Sequence, residues 1–392
     1  MLNFFQLQII IREDKGITMV FGLFKKKDKN KDEKTTQKDD RYLQLTVKDI
    51  VSVTNDAVNV VFEKPETVFN YLPGQFITVI FTIDGKKVRR AYSLCTTPGV
   101  DENPAVTVKR VEGGIVSNYI NDQLKVGDEV EIMEPMGMFT TEYQVENDRH
   151  LILIGGGSGI TPLYSIIKAT LAREPKSIVS LVYANRNEDS VIFKDQLESL
   201  VKEQKGRFKL IHTLDKPTGE WNGHMGLLTN DKLKSIFSEL PKHDPKKTEY
   251  FTCGPQPLMD IVFDTLNEME VPLEYRYRES FVAGKTSPDS IISDGGEGSA
   301  DQDRSVKVII DGDSYEFTVP AGKSILDAGL EADIDMPYSC QSGLCTACRG
   351  KCHSGKVSVD DADGLSQQEL NEGYVLTCIG KPLSDDVEIE IG

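Results

Sequence analysis

Four cysteines near the C-terminal end of the chain constrain its fold more than any other feature of the sequence. Cys340, Cys345 and Cys348 form a C-x4-C-x2-C run, and Cys378 follows after an interval of 29 residues. This is the spacing of a plant-type [2Fe–2S] site, in which four thiolates hold one cluster. Four of the residues between the first three cysteines are small, so backbone N–H groups can approach the sulfur atoms: Ser342, Gly343, Thr346 and Ala347. The pattern therefore predicts a [2Fe–2S] cluster.

Two other interpretations of these cysteines fit less well. Structural zinc sites usually pair two C-x2-C knuckles, whereas this run has one and no histidine at ligand spacing. Disulfides fit poorly because the apolar start, Met1 to Ile11, lacks the basic region and cleavage site of a secretory signal. Three further thiols remain, Cys95, Cys253 and Cys352. Together these features favour a reducing cytoplasm.

The charge of the chain is strongly negative and unevenly distributed. The net charge is −17, which makes nucleic acid an improbable partner. Residues 285–392 carry 21 Asp and Glu against 8 Lys and Arg, or −13 of that total. This bias favours partners with basic surfaces, and a solvated acidic face is the alternative.

Changes in hydrophobic rhythm divide the chain into five segments. Residues 1–40 read as a flexible basic tail. Short strands with Gly and Pro turns over 41–147 predict an antiparallel β-barrel. Alternating strands and helices over 148–284 predict an α/β doubly wound parallel sheet. Residues 285–304, rich in Ser, Asp and Gly, read as a linker. A hairpin, a helix and a final strand over 305–392 predict a third, α+β domain.

The tail also has a membrane interpretation. Val20 to Phe24 is apolar and precedes a run of lysines, so it could touch an anionic membrane surface. We favour the disordered tail, with peripheral membrane contact as the alternative.

A glycine-rich turn follows the first strand of the predicted parallel sheet. Gly156, Gly157 and Gly159 precede Pro162, which suits the first turn of a helix. Backbone N–H groups at such a turn can receive a pyrophosphate, although a plain tight turn has the same appearance. The next strand ends before Arg186, where NAD sites usually carry an acidic residue. We expect Arg186 to face a 2′-phosphate, which favours NADPH over NADH, and a surface arginine without a ligand is the alternative.

Two stretches of the predicted barrel suit a phosphorylated ring compound. Arg90 can hold a phosphate, Tyr92 can stack on a flat ring, and Ser93 can hydrogen-bond its edge. Taken alone, they also read as an ordinary half-exposed strand. The second stretch has a turn and a Ser at a probable helix start, again suited to phosphate, and its candidates are Val108, Gly114, Val116 and Ser117.

Cys253, Gly254 and Pro255 follow another buried strand of the parallel sheet. They fall at its carboxyl edge, where ligands bind in such folds. By itself, a buried structural thiol would be the simpler explanation.

Together these motifs resemble the ferredoxin–NADP reductase superfamily. Within it, the chain is most similar to the oxygenase-reductase branch with a C-terminal plant-type [2Fe–2S] ferredoxin domain, including the reductase subunits of phenylacetyl-CoA epoxidases. The resemblance covers residues 41–392 and rests on family motifs in all three domains. The R-x-Y-S, G-x-x-S, G-x-G-x-x-P and C-G-P motifs match the residues named above. Gln341, where many relatives carry Arg or Lys, and the extra thiol of Cys352 depart from the pattern.

The resemblance implies an FAD-binding barrel, an NAD(P)-binding domain and a β-grasp ferredoxin domain, although some relatives use FMN. It implies catalytic roles for Tyr92, Ser93, Thr161 and Cys253, with Thr161 beside the flavin and Cys253 near the nicotinamide. The implied activity is NAD(P)H:acceptor oxidoreduction, with electrons passing from NADPH through FAD and the cluster to an external oxygenase, desaturase or other redox protein. A reductase of a hybrid-cluster-type protein and a redox-sensing relay without turnover are the alternatives.

Overall fold

Three β-sheets form the framework of the chain in the computed structural model. The structure describes residues 42–65, 69–281, 300, 302–360, 362 and 364–391. The predicted tail lies outside these ranges, as does most of the predicted linker. Among the described residues, no helix is long and apolar enough to cross a membrane.

The first sheet is antiparallel and curls into a barrel, as predicted. Its six strands run in the spatial order β4-β3-β6-β1-β2-β5. A bridge between Leu94 and Val106 brings the two edge strands together. Because the edges meet, few backbone groups are left unpaired. The elements are β1 (Tyr42–Thr54), β2 (Ala57–Phe62), β3 (Phe76–Ile83), β4 (Lys86–Ser93), β5 (Ala105–Lys109), α1 (Ile115–Asp122) and β6 (Glu129–Met136).

The second sheet is parallel throughout and is covered by helices on both faces. Its spatial order is β10-β9-β8-β7-β11-β12. The chain reverses direction across the sheet between β7 and β11, which opens a crevice at their carboxyl ends. The elements are β7 (His150–Gly156), α2 (Ile160–Arg173), β8 (Ile178–Asn185), α3 (Lys194–Glu203), β9 (Phe208–Leu214), β10 (His224–Met225), α4 (Asn230–Ser238), β11 (Thr248–Cys253), α5 (Gln256–Glu268) and β12 (Arg276–Glu279).

The residues of β7 show why this strand is a continuous apolar run. Leu151 and Leu153 pack into one core cluster, and Ile152 and Ile154 pack into the cluster on the opposite face. All four are at most 6% exposed. A strand buried on both faces needs no polar alternation.

One predicted strand begins later than expected. The sequence predicts a strand over Leu273 to Tyr277, but Leu273–Tyr275 form a 3-10 turn and β12 starts at Arg276. The cause is local, because Tyr275 N–H donates to the Pro272 carbonyl and closes the turn.

The third sheet is mixed and has the order β14-β13-β17-β15-β16. Asp311 and Gly312 both have positive φ angles, which form the predicted hairpin turn between its first two strands. Ser324 caps the helix that packs on this sheet, accepting from Asp327 N–H at 3.1 Å. The elements are β13 (Arg304–Ile310), β14 (Asp313–Val319), α6 (Ile325–Glu331), β15 (Arg349–Ser354), α7 (Gln367–Asn371), β16 (Tyr374–Leu376) and β17 (Val387–Ile391).

Candidate functional site

The four cysteines of the C-terminal pattern converge in one loop region of the third sheet. Cys345, Cys348 and Cys378 are buried, and Cys340 is half-buried. The pKa of Cys340 lies well below its usual range because the thiols of Cys345 and Cys378 donate hydrogen bonds to its sulfur. Cys348 has a lowered pKa for the same reason, with Cys378 as its donor. The four sulfur atoms therefore form one contiguous group.

The arrangement fits a binuclear cluster better than a single ion. Within the described ranges, no group of three or more side-chain ligands could close around one metal ion. A [2Fe–2S] cluster does not require such a group, because each of its two irons takes two protein ligands. Cys340 interacts with Cys345 and with Cys378, and Cys378 also interacts with Cys348, so the four sulfur atoms can be shared between two irons.

Backbone geometry holds the loop around these sulfurs. Ser342 N–H donates to the Cys340 sulfur at 3.4 Å. Gly364 N–H donates to the Gly343 carbonyl at 2.7 Å. A Cβ atom on Gly364 would lie 2.8 Å from the backbone nitrogen of Cys345, so only glycine fits there. The chain thus supplies both the thiolates and an N–H donor of the kind that tunes a cluster.

A cavity of about 350 Å³ brings the cysteine loop next to the barrel. Arg90 and Ser93 of β4 line it together with Cys340. Phe76, Phe139 and Tyr277 supply aromatic walls. Apolar walls with a few convergent polar groups suit a flat ring that has one polar edge. These residues therefore fit the ring of a flavin.

The polar end of this cavity contains a buried carboxyl group that the sequence analysis did not select. Ser93 Oγ donates to Glu279 Oε2 at 3.3 Å, and both residues are buried. Burial raises the pKa of Glu279 to about 8. Burial thus favours the protonated form of the Glu279 carboxyl beside Ser93.

A second cavity, of about 870 Å³, opens at the crevice between β7 and β11. Gly156, Gly157, Arg186 and Pro255 line it, as the nucleotide prediction requires. A Cβ atom on Gly156 would lie 2.9 Å from the Pro255 ring. The glycines thus let the two loops pack closely, in addition to leaving room for a ligand.

Polar atoms in this cavity lack partners of their own. Among the described residues, neither Nδ2 nor Oδ1 of the buried Asn185 has a hydrogen-bond partner. Lys109 and Arg110 are paired with Asp56 and Asp122, whereas no ion pair joins Arg186 to a carboxylate within the described ranges. Arg186 is exposed at the cavity. Unsatisfied amide atoms and an unpaired cation suit a polar, anionic ligand such as a nicotinamide nucleotide.

Other predicted residues lie nearby without lining these two cavities. Cys253 is fully buried, and burial raises its pKa well above the usual value, so its thiol stays protonated. Thr161 is buried and donates to the Ser158 carbonyl at 3.0 Å. Tyr92 is half-buried in β4. The predicted roles of these three residues stay predictions.

The second barrel stretch forms the predicted turn and helix start. Gly114 precedes α1, and Ser117 Oγ accepts from Val111 N–H at 3.1 Å. Val108 and Val116 are buried in the core of the barrel. The hydroxyl of Ser117 thus fixes the turn, and its predicted contact with phosphate stays a prediction.

Several residues that line the cavities were absent from the prediction, among them the buried polar or charged residues Glu279, Asn185 and Arg89. Glu279 ends the last parallel strand, a position at which a polar residue could have been noted. Asn185 precedes Arg186 at the end of β8 and gives a similar signal. Arg89 looks like a surface residue by its neighbours Lys87 and Arg90, and nothing local reveals that it is buried.

Three family models match successive parts of the chain. An oxidoreductase FAD-binding domain matches residues 42–141, and an oxidoreductase NAD-binding domain matches residues 153–264. A 2Fe-2S iron-sulfur cluster binding domain matches residues 308–383. Their order agrees with the order of the three sheets.

Two known proteins are similar to this chain over almost nine-tenths of its length. The ferredoxin reductase component of 3-ketosteroid-9-alpha-monooxygenase from Rhodococcus rhodochrous is 35% identical over 356 residues, which are 89% of this chain and 97% of that protein. One of the subunits of 1,2-phenylacetyl-CoA epoxidase from Escherichia coli K12 is 33% identical over 88% of this chain and 96% of that protein. Among solved structures, phthalate dioxygenase reductase matches with a TM-score of 0.55 and 25% identity, covering 89% of this chain and 98% of that chain.

Proposed function

Because the chain belongs to the oxygenase-reductase family of NAD(P)H oxidoreductases that carry FAD and a [2Fe–2S] cluster, we propose that it takes hydride from NADPH and delivers single electrons to an external oxygenase. The observation that carries this proposal is the cavity shared by Ser93 and Cys340. In the proposal, the flavin ring binds at this end of the barrel, beside the proposed cluster ligand Cys340. The proposed path of the electrons from the ring to the cluster is therefore short.

The cofactors supply the redox chemistry, since FAD accepts two electrons together and can release them singly to the cluster. The side chains bind and orient. In the proposal, Arg90 holds phosphate, Tyr92 stacks on the ring, and Ser93 contacts its edge. Glu279 accepts a hydrogen bond from Ser93 and so helps to orient the Ser93 hydroxyl.

In the proposal, NADPH binds in the crevice of the parallel sheet. Gly156 and Gly157 leave space for the pyrophosphate, and Arg186 meets the 2′-phosphate of NADPH. Thr161 and the C-G-P turn at Cys253 would shape the end of the crevice that is nearest the barrel. The charge of Arg186, which forms no ion pair with any residue that the structure describes, supports NADPH as the preferred donor.

The proposed acceptor is a di-iron oxygenase or a desaturase that docks on the ferredoxin domain. The relatives named above belong to a monooxygenase and to an epoxidase, which supports an oxygenase. The acidic composition of residues 285–392 suits an acceptor with a basic docking surface. The three cysteines outside the proposed cluster, Cys95, Cys253 and Cys352, form no disulfide in the structure, which supports a cytoplasmic location.

Replacing one cluster ligand tests the proposed electron route. Cys345→Ser should leave NADPH-dependent ferricyanide reduction within about twofold, because ferricyanide accepts electrons from flavins. The same change should abolish cytochrome c reduction, which needs the one-electron carrier. Cys352→Ser is the matched control, because Cys352 lies in β15, is outside the four-cysteine pattern, and its thiol donates to the Ser354 carbonyl. It should leave both activities unchanged.

Two outcomes would contradict the proposed electron route or the proposed turnover. Full cytochrome c reduction by Cys345→Ser would show that the cluster is not on the electron route. Bleaching of the flavin by NADPH without steady reduction of any acceptor would favour a redox-sensing relay. A hybrid-cluster-type acceptor is distinguished by comparing rates of reduction of that protein and of an oxygenase.

A further inference from the structure

The barrel and the ferredoxin domain meet through a contact that joins residues far apart in the sequence. Arg89 Nη1 of β4 donates to Asp335 Oδ1 at 2.7 Å. The Arg89 guanidinium also lies 5.4 Å from the centre of the Tyr338 ring. Arg89 is only 3% exposed, although it is charged. Burying an unpaired guanidinium costs free energy. The Asp335 carboxylate and the Tyr338 ring offset that cost, so both stabilise the contact between the two domains.

An apolar patch and a hydrogen bond surround the ion pair. Phe76, Ile80 and Met133 of the barrel pack in one cluster with Cys345 and Ala347 of the cysteine loop. Thr78 Oγ1 donates to Ser339 Oγ at the same surface. Together these contacts hold the cysteine loop on strands β3, β4 and β6 of the barrel.

The position of the ion pair links it to electron transfer. Arg89 lines the same cavity as Ser93 and Cys340. Electron transfer between two centres depends steeply on their separation, so the pose that puts Cys340 at this cavity is the productive one. The ion pair that holds this pose is accessible to solvent, because the Asp335 side chain is 56% exposed. Lys87 Nζ also lies 3.9 Å from the Asp335 carboxylate.

We propose that Arg89 and Asp335 are positioning residues that dock the cluster loop onto the flavin cavity and thereby set the rate at which electrons reach the cluster. In each transfer, one electron leaves the reduced flavin and enters the oxidised cluster. The inference rests on the proposed electron route. Because Asp335 is partly exposed, salt weakens the docking.

Asp335→Asn tests this inference with a closely matched control. The side chain is exposed, so the change should not affect folding. Asp333→Asn removes the same charge two residues away, from a side chain that is exposed and has no ion pair among the described residues. Each purified holoprotein is mixed with NADPH without oxygen or acceptor, and the bleaching of flavin and cluster is followed separately. Asp335→Asn should slow the cluster phase about tenfold, as expected for loss of a partly buried charge pair.

The flavin phase should be the same in wild type, Asp333→Asn and Asp335→Asn, since Asp335 does not line the flavin cavity. The cluster phase should slow with added salt in wild type and in Asp333→Asn, but not in Asp335→Asn. An equal cluster phase in all three proteins would overturn the inference. A missing flavin phase in wild type would instead contradict the proposed function.

Hydrogen–deuterium exchange gives a readout that does not depend on turnover. Backbone amides of residues 335–347 should lose protection in Asp335→Asn and in Arg89→Gln, and the double variant should lose no more than either single variant. Such non-additivity is expected when two residues act through one contact. Unchanged protection in Asp335→Asn, or additive losses in the double variant, would show that the pair does not hold this surface.

Discussion

At the residue scale, Arg186 has no ion pair among the described residues, and we expect it to set the preference for NADPH over NADH. Its neighbours Lys109 and Arg110 are neutralised by carboxylates, so it is the cation at the cavity most available to a phosphate. Arg186→Ala should raise the KM for NADPH about tenfold, the expected loss for one charge-assisted hydrogen bond. The KM for NADH, which has no 2′-phosphate, should stay within about twofold.

Steady-state kinetics with both nucleotides measure this effect. Lys216→Ala is the control, because Lys216 is exposed at the end of the neighbouring strand and does not line the cavity. Equal changes in KM for NADPH and NADH in Arg186→Ala would show that Arg186 does not recognise the 2′-phosphate.

His150, at the opposite edge of the parallel sheet, predicts a pH dependence of stability. It is 1% exposed, its ring nitrogen lies 2.8 Å from Ser180 Oγ, and burial lowers its pKa from 6.5 to about 4. Between these two values the unfolded chain binds a proton that the folded chain excludes. Stability is therefore fully present above pH 6.5 and is lost as the pH falls towards 4.

The size of this effect follows from the shift. From pH 7 to pH 5, His150 should remove about 2 kcal/mol of the free energy of unfolding. In His150→Gln this part of the loss should disappear, as measured by urea denaturation of both proteins at the two pH values. Identical losses in the two proteins would mean that His150 titrates normally in the folded state.

Some residues of the site could be predicted from the sequence, and others could not. The cysteine spacing and the glycine turn are local patterns whose chemistry can be recognised directly. The Ser93–Glu279 pair joins residues 186 positions apart, and only the packing of β4 against the end of β12 brings them together. Arg89 was missed for the same reason, because its burial depends on a distant domain.

At the scale of secondary-structure elements, the two loops of the parallel-sheet crevice depend on each other. A Cβ atom on Gly159 would overlap the carbonyl oxygen of Cys253. Gly159→Ala should therefore push the glycine turn away from the C-G-P turn, lower the free energy of unfolding by about 3 kcal/mol and weaken NADPH binding. Gly219→Ala is the control, because it has open space and an ordinary backbone conformation.

Urea denaturation and NADPH titration measure both effects of the Gly159 change. If Gly159→Ala is as stable as Gly219→Ala, the loops are looser than the structure indicates. The same close packing explains why the G-x-G-x-x-P pattern is informative, since its glycines meet steric as well as binding requirements.

Long periodic elements were easier to predict than short ones. Strand β7 and helix α2 have continuous apolar patterns, and the structure confirms both. The elements β15, α7 and β16 were not predicted, because they have at most six residues and little periodicity. Their pairing in the third sheet comes from tertiary contacts.

At the scale of the whole molecule, the three sheets belong to an FAD-binding, an NAD-binding and a [2Fe–2S]-binding domain. The order of the three domains was predictable from the sequence, because each has a different pattern of predicted strands and helices. The docking of the third sheet on the first was not, because it depends on side chains such as Arg89 and Asp335 that are 246 residues apart.

Anaerobic titration of the purified protein with NADPH, followed by visible absorbance, tests the central claim most directly. We predict the combined spectrum of a flavin and a [2Fe–2S] cluster, with both components bleached by NADPH. A colourless protein, a protein with zinc in place of iron and sulfide, or a cluster that stays oxidised while the flavin is reduced would contradict the account.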